Sequence, residues 1–142
     1  MGTTMTVICE VKTPSGQWAH YTLCEWAQLY VFYAKLAGVR NEDNIEAIAP
    51  DRGWPPDHSN IARGLYNHYR EDYHSLTWVK PSEVSEAYDY ACKESEGCFY
   101  EYRFFNRLMP DCIPGSYAIA GFNSSDDTNP DDYVRFLLAF SS

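Results

Sequence analysis

Asp57, His58, Asp72 and His74 are the side chains in this 142-residue chain that come nearest to catalytic or metal-binding chemistry. A histidine beside a carboxylate can hold a divalent cation, or act as a general base kept in place by the acid. Asp57 and His74 have the strongest claim to catalysis. Their spacing fits no metal motif such as His-Glu-x-x-His, so no metal is expected and a role as caps and backbone partners weighs more. Arg40, Asn41 and Arg52 sit in or beside one long loop, with Trp78 further along. Two guanidiniums make a fork for phosphate or carboxylate, so these four residues form the candidate ligand-binding set for a small anion such as a nucleotide. Against this, Glu42, Asp43, Asp51 and Asp57 lie close enough in sequence to neutralise both arginines. No glycine-rich phosphate loop or Gly-x-Ser-x-Gly occurs, so no cofactor is expected and catalysis is the weaker expectation.

Charge points elsewhere. Eleven Lys and Arg stand against twenty Asp and Glu, giving a net charge of −9. A nucleic-acid binder carries the opposite balance, so direct nucleic-acid binding is not expected. The excess is uneven: residues 1–82 hold seven basic and nine acidic groups, and residues 83–142 hold four and eleven. Glu83, Glu86, Asp89, Glu94 and Glu96, with Asp126 and Asp127, could present carboxylates to a basic partner, or simply solvate a helix face. Tyr100 and Tyr102 join them as candidate interface residues, because tyrosines bury area while losing little rotamer freedom. Tyr66, Tyr69 and Tyr73 form a second aromatic group that either lines a contact surface or covers the core. The five cysteines are odd in number and lack a Cys-x-x-Cys pair, which favours thiols over a disulfide framework.

These residues must be positioned by a small set of elements. Residues 5–11 and 17–23 are rich in β-branched and aromatic types around a Pro-Ser-Gly turn, which predicts a β-hairpin. Thr22-x-x-Glu25 reads as a capping box for a helix that buries Trp26, Leu29, Tyr30, Tyr33, Leu36 and Ala37 and stops at Gly38. Residues 39–58 read as a long loop. Asp57 or Ser59 then caps a second helix with Ile61, Ala62, Leu65 and Tyr69 inward. Residues 71–79 read as a connector, and Pro81-Ser82 opens a third helix that buries Val84, Ala87, Tyr88 and Ala91. Residues 98–108 lean to helix, 117–122 to a short strand, and 133–140 to a final apolar strand. The expected fold is α+β in a single domain, 1–142. A small antiparallel sheet of the N-terminal hairpin plus the C-terminal strand is covered on one face by three helices. No stretch is apolar enough to span a membrane.

Several short blocks together resemble a family of small uncharacterised proteins of bacteria, phages and prophages. The start Met1-Gly2 with Glu10-Val11 is similar to its Met-Gly-x-Asp-Ile-His opening and Val-Glu-Val strand. Leu36-Ala37-Gly38-Val39-Arg40-Asn41 matches its helix end. Ile48-Ala49-Pro50, Arg52-Gly53, Pro55, Asp57 and Ser59 fit its next block, His74-Ser75-Leu76-Thr77-Trp78 its third, and Val134-Arg135-Phe136-Leu137 its closing strand. Residues 85–130 are essentially uncovered. The resemblance implies a bacterial or phage source and a cytoplasmic protein, and brings no settled activity. One departure matters: Thr4 and Thr6 stand where the family has Asp and His.

Three functional readings follow. The first is an acidic phage-type protein that docks on a basic host protein, such as a nucleic-acid-handling defence complex, and inhibits it. The second is sequestration or hydrolysis of a small anion in the Arg40–His74 region. The third is a structural protein that forms homo-oligomers through its aromatics.

Overall fold

A computed structural model describes residues 2–27, 30–94 and 130–142. Strands β1 (Thr4–Lys12) and β2 (Trp18–Ala27) form the expected hairpin. Its turn closes with Thr13 N–H donating to the Gln17 carbonyl at 2.7 Å, and Gly16 supplies the positive φ of 89° that the turn requires. Helices α1 (Tyr30–Ala37) and α2 (Asn60–Tyr69) follow, then strand β3 (His74–Val79), helix α3 (Pro81–Glu94) and strand β4 (Val134–Ser141). The described strands form an antiparallel sheet in the order β2-β1-β4-β3. The fold is α+β, and the last strand joins the hairpin by pairing with β1.

Alternation along β1 and β4 divides the core in two. Met5, Val7, Cys9, Val134, Phe136, Leu138 and Phe140 point to one face, where Val79 of β3 joins them beneath α1 and α3. Ile8 and Leu137 point to the other, where Ala62 and Leu65 of α2 and Trp54 cover them. The helices therefore lie on both sides of the sheet, and the expectation of one covered face is corrected. The alternating pattern on two central strands supports two layers because Ile8 and Leu137 are fully buried on the second face.

Three local expectations also change. The capping-box reading of Thr22-x-x-Glu25 gives way to strand, since β2 stays paired with β1 as far as Ala27 against Thr4. A full-length ladder satisfies more backbone groups than an earlier helix start would. Residues 71–79 are not a plain connector: His74–Val79 pairs with β4, with the register broken between His74 and Thr77. The inner stripe of α2 is narrower than expected, because Ile61 and Tyr69 are 49% and 41% exposed. Ser59 is the N-cap, its hydroxyl accepting from Ala62 N–H at 3.3 Å. In α3, Val84, Ala87 and Ala91 are buried as expected, and Tyr88 packs against them.

Helix α1 stops at Gly38, whose φ is +73°. The returning loop then donates Ile48 and Ala49 N–H to the carbonyls of Lys35 and Leu36, both at 2.8 Å. Those bonds satisfy the helix's orphan acceptors and fix residues 39–49 against it. The expected helix over 98–108 and strand over 117–122 lie outside the described residues. Among the described residues, no helix is long and apolar enough to cross a membrane.

Candidate functional site

The residues singled out by type separate into four places. The first is a buried ionic clamp. Glu10 of β1 sits opposite Arg135 of β4, on the α2 face. Arg135 Nε and Nη2 both reach Glu10 Oε1 at 2.8 Å, and Glu10 Oε2 accepts Ser59 N–H at 2.7 Å. Arg135 also donates from Nη1 to Asp57 Oδ1 at 3.0 Å and from Nη2 to the Asp57 carbonyl at 3.3 Å, while the Trp18 ring lies 4.1 Å from its guanidinium carbon. The guanidinium thus fastens the Asp57–Ser59 turn, and with it the start of α2, to the middle of the sheet. His58 hydrogen-bonds the Pro55 carbonyl through Nδ1 at 2.7 Å. Asp57 and His58 are therefore parts of this fastening, at a distance from Asp72 and His74.

Arg52 makes a second clamp. It meets Glu83 with two parallel bonds of 2.9 and 2.7 Å, and donates to the Trp78 and Ile48 carbonyls at 3.2 Å each. Its guanidinium carbon is 5.5 Å from the Trp78 ring. Burial alone would raise the Glu83 carboxyl, but the bonds from Arg52 and from Lys80 N–H hold it below the ordinary value. A depressed carboxyl stabilises the fold above the ordinary Glu range and loses that contribution as pH falls through the lowered value. Glu83→Gln is expected to lower the melting temperature by about 2–4 °C at neutral pH, with the difference closing towards pH 3. Melts of both proteins across that range check it; a gap that persists in acid would contradict the assignment.

Arg40 and His74 are brought together at the other end of the strands. Arg40 Nε donates to Thr3 Oγ1 at 2.7 Å, Thr3 Oγ1 and Ser142 Oγ are 3.1 Å apart, and Ser142 Oγ is 3.0 Å from His74 Nε2. His74 Nδ1 meets Ser75 Oγ at 3.0 Å. Among the described residues both ring nitrogens of His74 thus meet serine hydroxyls, not the carboxylate that orients the histidine of a catalytic triad. Asn41 closes its own loop, exchanging bonds of 2.6 and 2.8 Å with the Ile45 backbone. Of the four candidate anion ligands, Asn41, Arg52 and Trp78 are thus engaged in loop and clamp contacts, and Arg52 and Trp78 lie apart from Arg40.

The fourth place is a groove of about 400 Å³ between α2 and β2, lined by Thr6, Leu23, Glu25, Leu65, Tyr69, Asp72 and Tyr73, with Ser141 and Ser142 at its end. The Tyr69 and Tyr73 rings are 5.6 Å apart and inclined by 36°. Tyr73's phenol is pushed above its usual range, first by burial and to a smaller extent by the Glu25 and Asp72 carboxylates, against a hydrogen bond with Thr6 that pulls it down. Among the described residues, no Lys or Arg lines the groove.

Among the interface candidates, Glu86, Asp89 and Glu94 are exposed on α3, whereas Glu83 is held by Arg52. Glu96, Tyr100, Tyr102, Asp126 and Asp127 lie outside the described residues. Among the described residues, no group of three His, Cys, Asp or Glu side chains could hold a metal. Sequence reasoning missed Glu10 with Arg135, although a lone charge inside each of two apolar strands was the available signal. It also missed Glu25, which the capping pattern disguised. No family model matches the chain, and no curated protein or solved structure matches it.

Proposed function

We propose that the protein is a binding module that docks on a basic surface of another protein. The observation that carries this is the division of its charges. Arg135 is buried against Glu10 and Asp57, Arg52 is paired with Glu83 at the surface, and Lys35 reaches the Glu46 carbonyl at 3.2 Å. Glu86, Asp89 and Glu94 meanwhile stand exposed along α3. Arg63, Arg70, Lys80 and Lys93 are exposed as well, but among the described residues exposed carboxylates outnumber them, in keeping with the net charge of −9, which favours a cationic partner over a small anion. The resemblance to phage and prophage proteins makes a host protein the partner class, and nucleic-acid-handling proteins carry basic surfaces of the required kind.

Association with an oligolysine peptide tests the reading. Replacing Glu86, Asp89 and Glu94 together by lysine is expected to slow association about tenfold at low salt, because steering acts mainly on the on-rate. All three side chains are exposed, so the variant should keep its fold and melting profile. An unchanged on-rate would overturn the proposal.

A further inference from the structure

Resting on that reading, we infer that the groove between α2 and β2 is the seat of one long cationic side chain, a lysine or arginine, presented by the partner. Three observations meet there. The walls are partly apolar: Leu65 lines the α2 side, and Leu23 of β2 is 42% exposed although its cross-strand partner Ile8 is buried. Two carboxylates, Glu25 and Asp72, come from opposite sides, and neither forms an ion pair among the described residues. The Tyr69 and Tyr73 rings form the wall beside Asp72, and Tyr69 is 41% exposed.

A lysine or arginine side chain matches this division of chemistry. Its methylene stem covers apolar surface while its head stays with charge and water, so the stem would lie on Leu23 and Leu65. The head would then sit between Glu25 and Asp72 with the tyrosine faces alongside, where ring quadrupole and carboxylates act in the same direction. An anionic ligand would meet two carboxylates with no cation among the described lining residues, and a neutral one would leave both carboxylates unmatched.

The test uses the full chain and an oligolysine peptide, with an Nε-acetylated peptide of the same length as the uncharged control. Amide shifts are expected to concentrate at Thr6, Leu23, Glu25, Tyr69 and Tyr73 with oligolysine and to be absent with the acetylated peptide. Glu25→Gln with Asp72→Asn should weaken binding at least tenfold, mainly by faster dissociation. Tyr69→Ala should weaken it severalfold, and Tyr69→Phe should restore it, since the face of the ring is what the cation meets. Shifts confined to α3, with the Glu25→Gln/Asp72→Asn protein binding as tightly as the parent, would overturn the groove while leaving the acidic docking surface in place. No binding of oligolysine at all would overturn both.

Discussion

Arg135→Ala is expected to destabilise the fold by about 3–5 kcal/mol, because it leaves the fully buried Glu10 carboxylate without its cation. For a chain of this size that corresponds to a fall in melting temperature of roughly 10 °C or more. Arg135→Lys should rescue little. An ammonium cannot span Glu10 Oε1 and Asp57 Oδ1, which the guanidinium reaches at 2.8 and 3.0 Å. Replacing the pair together, as Glu10→Leu with Arg135→Met, should be less harmful than Arg135→Ala alone, since buried ion pairs gain little over apolar packing once both charges are removed. Ser59 N–H loses its acceptor in that double variant, so recovery should be incomplete. Thermal and denaturant melts of the three variants decide the matter. A nearly normal melt for Arg135→Ala would show that the clamp carries no weight.

Phe140→Ala is the second large effect, expected to cost about 3–5 kcal/mol. Phe140 is fully buried on β4, opposite Met5 of β1 and His74 of β3. Its ring meets the edge of Tyr33 at 5.2 Å and lies 6.3 Å from the His74 ring. Removing it empties the contact that seats α1 on the sheet and takes away the wall behind His74. Phe140→Leu, which keeps most of the volume, should cost less than half as much. Equal melting temperatures for the two variants would mean that the site collapses without a cavity.

Why some of this was legible in the sequence and some was not has a physical cause. The hairpin and the Pro81 helix are specified by local signals: alternation around a Pro-Ser-Gly turn, and a proline-led start with Val84, Ala87 and Ala91 at helical spacing. Ser59 announced its helix for the same reason, because a cap acts within one turn. Strand β3 was hidden because only Thr77 and Val79 of its six residues are fully buried, and its register breaks after His74. The far end of β2 was hidden because its pairing with β1 is nonlocal, while Thr22 and Glu25 mimic a cap. The functional residues divide the same way. Arg40 and His74 could be singled out by type, but their link through Thr3 and Ser142 depends on chain ends meeting across the sheet. Glu25 and Asp72 become neighbours of one groove only after α2 has packed on its face of the sheet.

The ionic-strength dependence of the on-rate towards oligolysine tests the central claim most directly. If exposed carboxylates steer a basic partner, the rate at low salt should exceed that at physiological salt by about tenfold or more, and the Glu86, Asp89 and Glu94 reversals should flatten the slope. A rate indifferent to salt, or one unchanged by those reversals, would contradict the account.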